Sequence, residues 1–325
     1  MIADAGRFQK ILVASDFSEH AGGALREAGA LARVTGGQVT VAHVLSNLRS
    51  AMADMSQLSR WHLVDDIDAF ERQLRASSDK KLRVQVAELG LPANTQIETL
   101  VGTPYIELIN AVQSQGFDLV VSGTRGQAGW KRFLVGSTSD RLLRNCPCPV
   151  WVVKGGQGQP PRSILVPVDF SAASGQALAT AAGLAQATGA ALHVLHVVDE
   201  EDVPELPESE ELQLPPALSR RKVNRAALDR LEGFLGALPP SDPKPQVHIG
   251  HGDPWKVIGA TAKKLGADLL AMGTVGRSGL PGLLLGSTAE RVLHTCPVSL
   301  LAVKPAGFVS PVDPAFWPLP APTPA

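Results

Sequence analysis

The chain repeats itself. Residues 102–154 align with residues 252–304 at a constant offset of 150, without a gap, and 19 of those 53 positions are identical. Inside the match both copies read G-x-x-G, nine residues, then G-S-T: GTRGQAGWKRFLVGST from Gly123 to Thr138 and GTVGRSGLPGLLLGST from Gly273 to Thr288. Upstream, ILVASDFS (Ile11 to Ser18) answers ILVPVDFS (Ile164 to Ser171). Solenoid repeats have periods of about 20–50 residues, so a period near 150 marks a duplicated domain. Whatever chemistry one half carries, the other has repeated or lost.

Each half alternates short apolar runs with longer helical patterns. The first half predicts strands at 11–15, 38–44, 96–101, 118–122 and 150–153. Helices are expected at 21–35, within 50–90, at 105–115 and at 137–144. The second half predicts strands at 163–168, 191–197, 246–250, 268–272 and 300–303, with helices at 174–187, 219–238, 255–265 and 287–294. Continuous runs such as ILV, DLVV and DLLAM suit strands covered on both faces of a parallel sheet. Strand–helix alternation with right-handed crossovers gives an α/β, doubly wound domain, here twice in tandem. The divisions expected are a first domain at 1–154, a Gly/Pro/Gln-rich linker at 155–161, a second domain at 162–304 and a tail at 305–325. The tail's prolines remove donors and break helices, which predicts an extended or disordered appendage. Residues 199–218 are acidic and contain prolines, and read as a solvated loop.

A formal charge of −1 gives no electrostatic case for nucleic acid, which favours a strongly basic face. No apolar stretch is long and clean enough to span a bilayer, and no secretory apolar region precedes the strand-like run at Lys10. The expectation is a cytoplasmic protein with no membrane partner. Of three cysteines, Cys146 and Cys296 are equivalent, each followed by proline and an apolar strand. They read as small buried residues, and Cys146-Pro-Cys148 lacks partners at the spacing of a structural zinc site.

In doubly wound sheets ligands sit beyond the carboxyl ends of the strands. Glycines there let backbone N–H groups approach an anion. Gly136-Ser137-Thr138 and Gly286-Ser287-Thr288 each open a helix, whose N-terminus offers unpaired donors and a positive dipole end. A triphosphate is a natural guest. There is no G-x-x-x-x-G-K-[ST], which excludes a P-loop, and neither half has G-x-G-x-x-G after its first strand.

With ILVxxDFS near the start of each domain, a His-Val pair ending each second strand and G-x2-G-x9-G-[ST], the sequence resembles the universal stress protein family in tandem form. The resemblance covers nearly all of 8–154 and 162–304, and the nine-residue spacing marks the family's ATP-binding members. It implies a Rossmann-like or flavodoxin-like, five-stranded parallel sheet per domain. It also implies pairing of the two domains through their last strands about a two-fold axis, here within one chain; further homodimers are left open. Carried over, Gly123, Gly126, Gly136, Ser137 and Thr138 would hold phosphates, Asp16 the ribose, and Ala14 and Val44 the adenine. In the second half Gly273, Gly276, Gly286, Ser287, Thr288, Asp169, Pro167 and Val197 take those roles. Magnesium would ride on the phosphates rather than in a protein cage. Taken alone, each Asp also reads as a turn residue before Ser18 or Ser171, themselves N-cap types.

The halves differ. Pro167 fits the family's adenine wall where the first half has Ala14, whereas Arg125, Lys131 and Arg132 enrich the first flap and the second has only Arg277. This predicts unequal affinity, with the first half better neutralised. His43 and His196 are equivalent and read as structural imidazoles at strand ends. His248 and His251 have no first-half counterpart. Function is read first as an ATP-binding regulatory protein with an unidentified protein partner. An enzyme, a slow ATPase or phosphotransferase, is the alternative, though no paired base identifies itself. A scaffold binding another small ligand comes third.

Overall fold

A computed structural model describes residues 7–46, 64–124, 135–198, 216–236, 243–276 and 285–312. The first half runs β1 (Lys10–Ala14), α1 (Glu19–Thr35), β2 (Gln38–Leu45), α2 (Val64–Glu88), β3 (Gln96–Val101), α3 (Pro104–Gln115), β4 (Leu119–Gly123), α4 (Ser137–Asn145) and β5 (Val150–Val153). The second half repeats it as β6 (Ser163–Val168), α5 (Ala172–Thr188), β7 (Ala191–Val198), α6 (Pro216–Gly236), β8 (Gln246–His251), α7 (Pro254–Leu265), β9 (Leu269–Gly273), α8 (Ser287–Thr295) and β10 (Ser299–Val303). Every expected strand is present, with ends shifted by a residue or so.

All ten strands form one sheet in the order β3-β2-β1-β4-β5-β10-β9-β6-β7-β8. Pairing within each half is parallel; β5 and β10 join the halves antiparallel. In that joint Trp151 faces Leu301, Val150 faces Ala302 and Val152 faces Leu300. Because 151 and 301 are equivalent at the offset of 150, this register is itself two-fold symmetric. The pseudo-dyad passes through the Trp151–Leu301 pair, so one chain builds the domain pair that the family resemblance implies between chains.

Alternating strand residues feed two cores. Ile11, Val13, Val39, Val41, Trp151 and Leu301 face α1, α2, α5 and α6, while Leu12, Val120, Val150, Val152 and Leu300 face α3, α4, α7 and α8. Both α1 and α5 begin as the sequence predicts, with Ser18 Oγ and Ser171 Oγ accepting from Ala21 N and Ser174 N, and both end on left-handed glycines, Gly36 and Gly189.

Two lysines that close the last strands tie the halves together. Lys154 Nζ donates to the Leu293 and Cys296 carbonyls at 2.5 and 2.6 Å, at the C-terminal end of α8. Its equivalent Lys304 donates to the Arg144 carbonyl at 2.7 Å, at the end of α4. Burial pulls both ammonium groups down to about 8, and the negative end of each helix dipole favours the charge there. The linker is seated as well. Gln157 N and Gly158 N donate to Glu27 Oε1 at 2.7 and 3.1 Å, and a side chain at Gly156 would meet the Gly23 carbonyl at 2.4 Å. Cys146 and Cys296 cap their helices at opposite ends of the joint, and all three cysteines are free thiols. Among the described residues no helix is long and apolar enough to cross a membrane. Of the expected tail, 305–312 is described and 313–325 lies outside the described residues, as do parts of the expected acidic loop.

Candidate nucleotide site in each half

Among the described residues each half has a cavity at the carboxyl ends of its first, second and fourth strands. The first, of about 170 Å3, is lined by Ala14, Asp16, Val44, Gly123, Gly136, Ser137 and Thr138 among others. The second, of about 260 Å3, is lined by Pro167, Asp169, Val197, Gly273, Gly276, Gly286, Ser287 and Thr288 among others. Fifteen of the sixteen residues picked from sequence therefore converge on two places; Gly126 lies outside the described residues, as do Arg125, Lys131, Arg132 and Arg277.

The phosphate end is built from a strand end and a helix start. Gly136 N donates to the Thr124 carbonyl at 2.5 Å, and Gly286 N to the Thr274 carbonyl at 2.7 Å. These bonds draw together the two ends of each glycine motif. Gly136 and Gly286 occupy the N-cap positions with extended backbone and no side-chain cap. The first-turn N–H groups of α4 and α8 are thus left for a ligand. Thr274 Oγ1, 1% exposed and lining the second cavity, has no hydrogen-bond partner among the described residues.

The glycines have different reasons. A Cβ on Gly276 would stand 2.9 Å from Asp169 Oδ2, so this glycine lets the loop reach the Asp. A Cβ on Gly123 would meet the His20 carbonyl oxygen at 2.6 Å, and one on Gly273 would meet Ala173 C at 2.8 Å. There glycine is required by the close approach of α1 and α5, whatever else the position does.

Each Asp does take the turn role that its sequence context allows. Asp16 Oδ1 accepts from Ser18 N at 3.0 Å, and Asp169 Oδ1 from Ser171 N at 3.1 Å. Between them Phe17 and Phe170 stand at φ 64° and 63°, a left-handed backbone that non-glycine residues seldom adopt. Their rings repay this by packing on His43 and His196, with centroids 4.4 Å apart in both halves. His43 Nδ1 donates to the Ser15 carbonyl at 2.7 Å, and His196 Nδ1 to the Val168 carbonyl at 2.9 Å. The equivalent histidines are thus structural: they fix the strand-end loops that aim Asp16 and Asp169 into the cavities. The repeated DFS was the available signal for the strained Phe.

Comparison with known proteins gives the family and the fold. The family model described as "Universal stress protein family" matches residues 7–154 and 161–304. A universal stress protein of Mycolicibacterium smegmatis is 28% identical over 300 residues, covering 91% of this chain and 97% of that protein. The universal stress protein E homolog of Haemophilus influenzae is 30% identical over 210 residues, covering 60% of this chain and 64% of that protein. Among solved structures, a universal stress protein from Archaeoglobus fulgidus has the same fold, with a TM-score of 0.61 at 22% identity over 91% of this chain and 98% of that one.

Proposed function

The chain belongs to the universal stress protein family, and on that premise we propose that it is an ATP-binding regulatory protein of the stress response. The observation that carries this reading is the doubled cavity: in each half an Asp, an apolar wall and an uncapped, glycine-led helix N-terminus share one strand-end pocket. Triphosphate would lie on the first-turn N–H groups of α4 or α8, where the dipole favours negative charge. The ribose would meet Asp16 or Asp169, and adenine the wall formed by Ala14 and Val44 or by Pro167 and Val197. Magnesium, when present, would bring charge neutralisation on the phosphates. Regulation requires that ATP bind two conformations of the chain unequally, since equal affinity shifts no population; a protein partner would read the favoured one.

Calorimetric titration of nucleotide-free protein with ATP and Mg2+ tests the proposal through its stoichiometry. Two sites per chain would show that both halves bind. One site would show divergence between them, with Gly136→Val and Gly286→Val identifying the working half. No heat, together with no thermal stabilisation at high ATP, would sink the reading, because a ligand of the native state stabilises it by mass action.

A further inference from the structure

The second half carries a pair of imidazoles that neither cavity uses. His193 on β7 and His248 on β8 are diagonal neighbours across a parallel strand pair, since Leu195 faces His248 and His193 faces Gln246. His193 Nδ1 lies 3.1 Å from His248 Nε2, with ring centroids 5.3 Å apart and planes inclined by 40°. We propose that these two side chains form a two-imidazole site for a divalent transition-metal ion of the copper or zinc class.

The distance carries the argument. Two imidazole nitrogens, each 2.0–2.1 Å from one tetrahedral metal, stand about 3.3 Å apart. The observed pair is already within a few tenths of an ångström of that spacing, and modest ring rotations turn both lone pairs toward a shared ion. Imidazole suits copper, zinc and nickel, and only the neutral ring ligates. Both rings favour the neutral form: burial lowers each below its ordinary value, helped by His248 beside His193 and by Lys264 beside His248. Access is open on one side, because β8 is the last strand of the sheet and His248 is half-buried there. Among the described residues no group of three or more His, Cys, Asp or Glu gathers, so water completes the coordination shell. Lys264, on α7, is the charge that opposes the ion.

The site is private to the second half. The strand positions equivalent to His193 and His248 are Thr40 and Glu98, and Glu98 accepts from the Gln115 side-chain amide at 3.2 Å. It is also separate from the proposed nucleotide site, whose lining includes neither histidine, so a negative result for ATP leaves it untouched.

The test is titration of the full, EDTA-stripped chain with Cu2+ against a glycine competitor, read by calorimetry and by electron paramagnetic resonance. One equivalent is expected to bind with two imidazole nitrogens coupled to the copper. His248→Gln, a half-exposed edge position that leaves the fold intact, is expected to weaken that equivalent at least tenfold and remove one nitrogen. His193→Asn is expected to do the same. His251→Gln, whose ring in the native chain bonds Asn224 Oδ1 at 2.7 Å, should leave it unchanged. Lys264→Glu, which replaces the opposing charge with a ligand, is expected to tighten binding, and Zn2+ should compete for the same equivalent. Wild-type copper affinity in His248→Gln, or absence of a two-nitrogen signal in the native chain, would overturn the proposal and leave the pair as a hydrogen bond.

Discussion

The two cavities are built on one plan but finished differently. In the first, Ser122 Oγ and Ser139 Oγ lie 2.9 Å apart and Ser139 Oγ donates to the Gly123 carbonyl at 2.7 Å, so hydroxyls underlie the glycine turn. In the second, the equivalent residues are Met272 and Ala289, and the wall gains Pro167 and Leu195 where the first has Ala14 and Ala42. The strand ends, the Asp turns and the uncapped helices are the same in both. Duplication has kept the Asp turns, the strand-end glycines and the helix N-termini and has freed the wall and the floor around them. The second half offers the larger pocket, with Pro167 and Leu195 in its wall, and the first a smaller one with serine hydroxyls in its floor.

The sharpest way to separate the halves is through their glycines. Gly123→Val drives a side chain into the α1 backbone at His20, and overpacking of this kind costs about 1–3 kcal/mol. We expect it to lower the melting temperature and to reduce ATP stoichiometry from two to one. Gly286→Val is a different experiment. A Cβ there meets nothing closer than the Thr274 carbonyl oxygen at 3.5 Å, so the fold should lose only about 1 kcal/mol, the cost of a poor N-cap. Yet the branched side chain would occupy the cradle and weaken the second site by tenfold or more. If both variants retain two sites of native affinity, the pockets do not hold the nucleotide.

The lysine ties give the next contrast. Lys154→Met strips a donor from the Leu293 and Cys296 carbonyls at the end of α8, and Lys304→Met strips one from the Arg144 carbonyl at the end of α4 and removes the ammonium that stands over the Phe308 ring. An unsatisfied buried acceptor costs about 1–3 kcal/mol. Denaturant titration should therefore find each variant less stable than the native chain by about 1–3 kcal/mol. Native stability in both variants would mean that the strand joint, rather than the helix caps, dominates the domain pairing.

How much of this was legible beforehand depends on whether the signal was local. Apolar runs bounded by turn residues marked the ten strands, because parallel strands are buried on both faces. The Gly-Ser-Thr motifs marked the uncapped helices, because nothing else at those positions can cap them. Lys154 and Lys304 were visible as identical residues in the repeat, but their role was not. A lysine serving the carbonyls of the opposite half depends on a strand register that no local pattern encodes. His193 and His248 lie 55 residues apart and become neighbours only through β7–β8 pairing. The linker's composition predicted a boundary, yet Glu27 and Gly23 seat it against α1, a contact made by tertiary packing alone.

Glu107 is another departure from the repeat. It is 7% exposed on α3, its Oε1 has no hydrogen-bond partner among the described residues, and its second-half equivalent is Val257. Burial pushes its carboxyl up from 4.5 to about 7. Between those values the folded chain keeps a proton that the unfolded chain has released, so stability falls as pH rises through that window and the full cost is present above it. Glu107→Val, which copies the second half, should raise the melting temperature at pH 8 by about 2–4 °C, the shift expected for roughly 1 kcal/mol in a chain of this size. The gain should shrink toward pH 4.5. A lower melting point at pH 8 would show that the carboxylate is held by a favourable partner.

The smallest effect is expected where the halves touch in water. Arg144 Nη2 on α4 lies 2.9 Å from Glu290 Oε1 on α8, and its Nε lies 3.1 Å from Asp140 on its own helix. The position equivalent to Arg144 is His294, so the guanidinium is offered across the pseudo-dyad from one side only. With Arg144 31% and Glu290 45% exposed, the pair gains little over hydration, and exposed pairs are worth about 0.2–1 kcal/mol. A double-mutant cycle of Arg144→Ala and Glu290→Ala should return a coupling in that range, and molar salt should erase most of it by screening. A salt-independent coupling above about 2 kcal/mol would place real domain adhesion on this exposed face. In that case the lysine ties and the β5–β10 joint would no longer account for how the halves stay together.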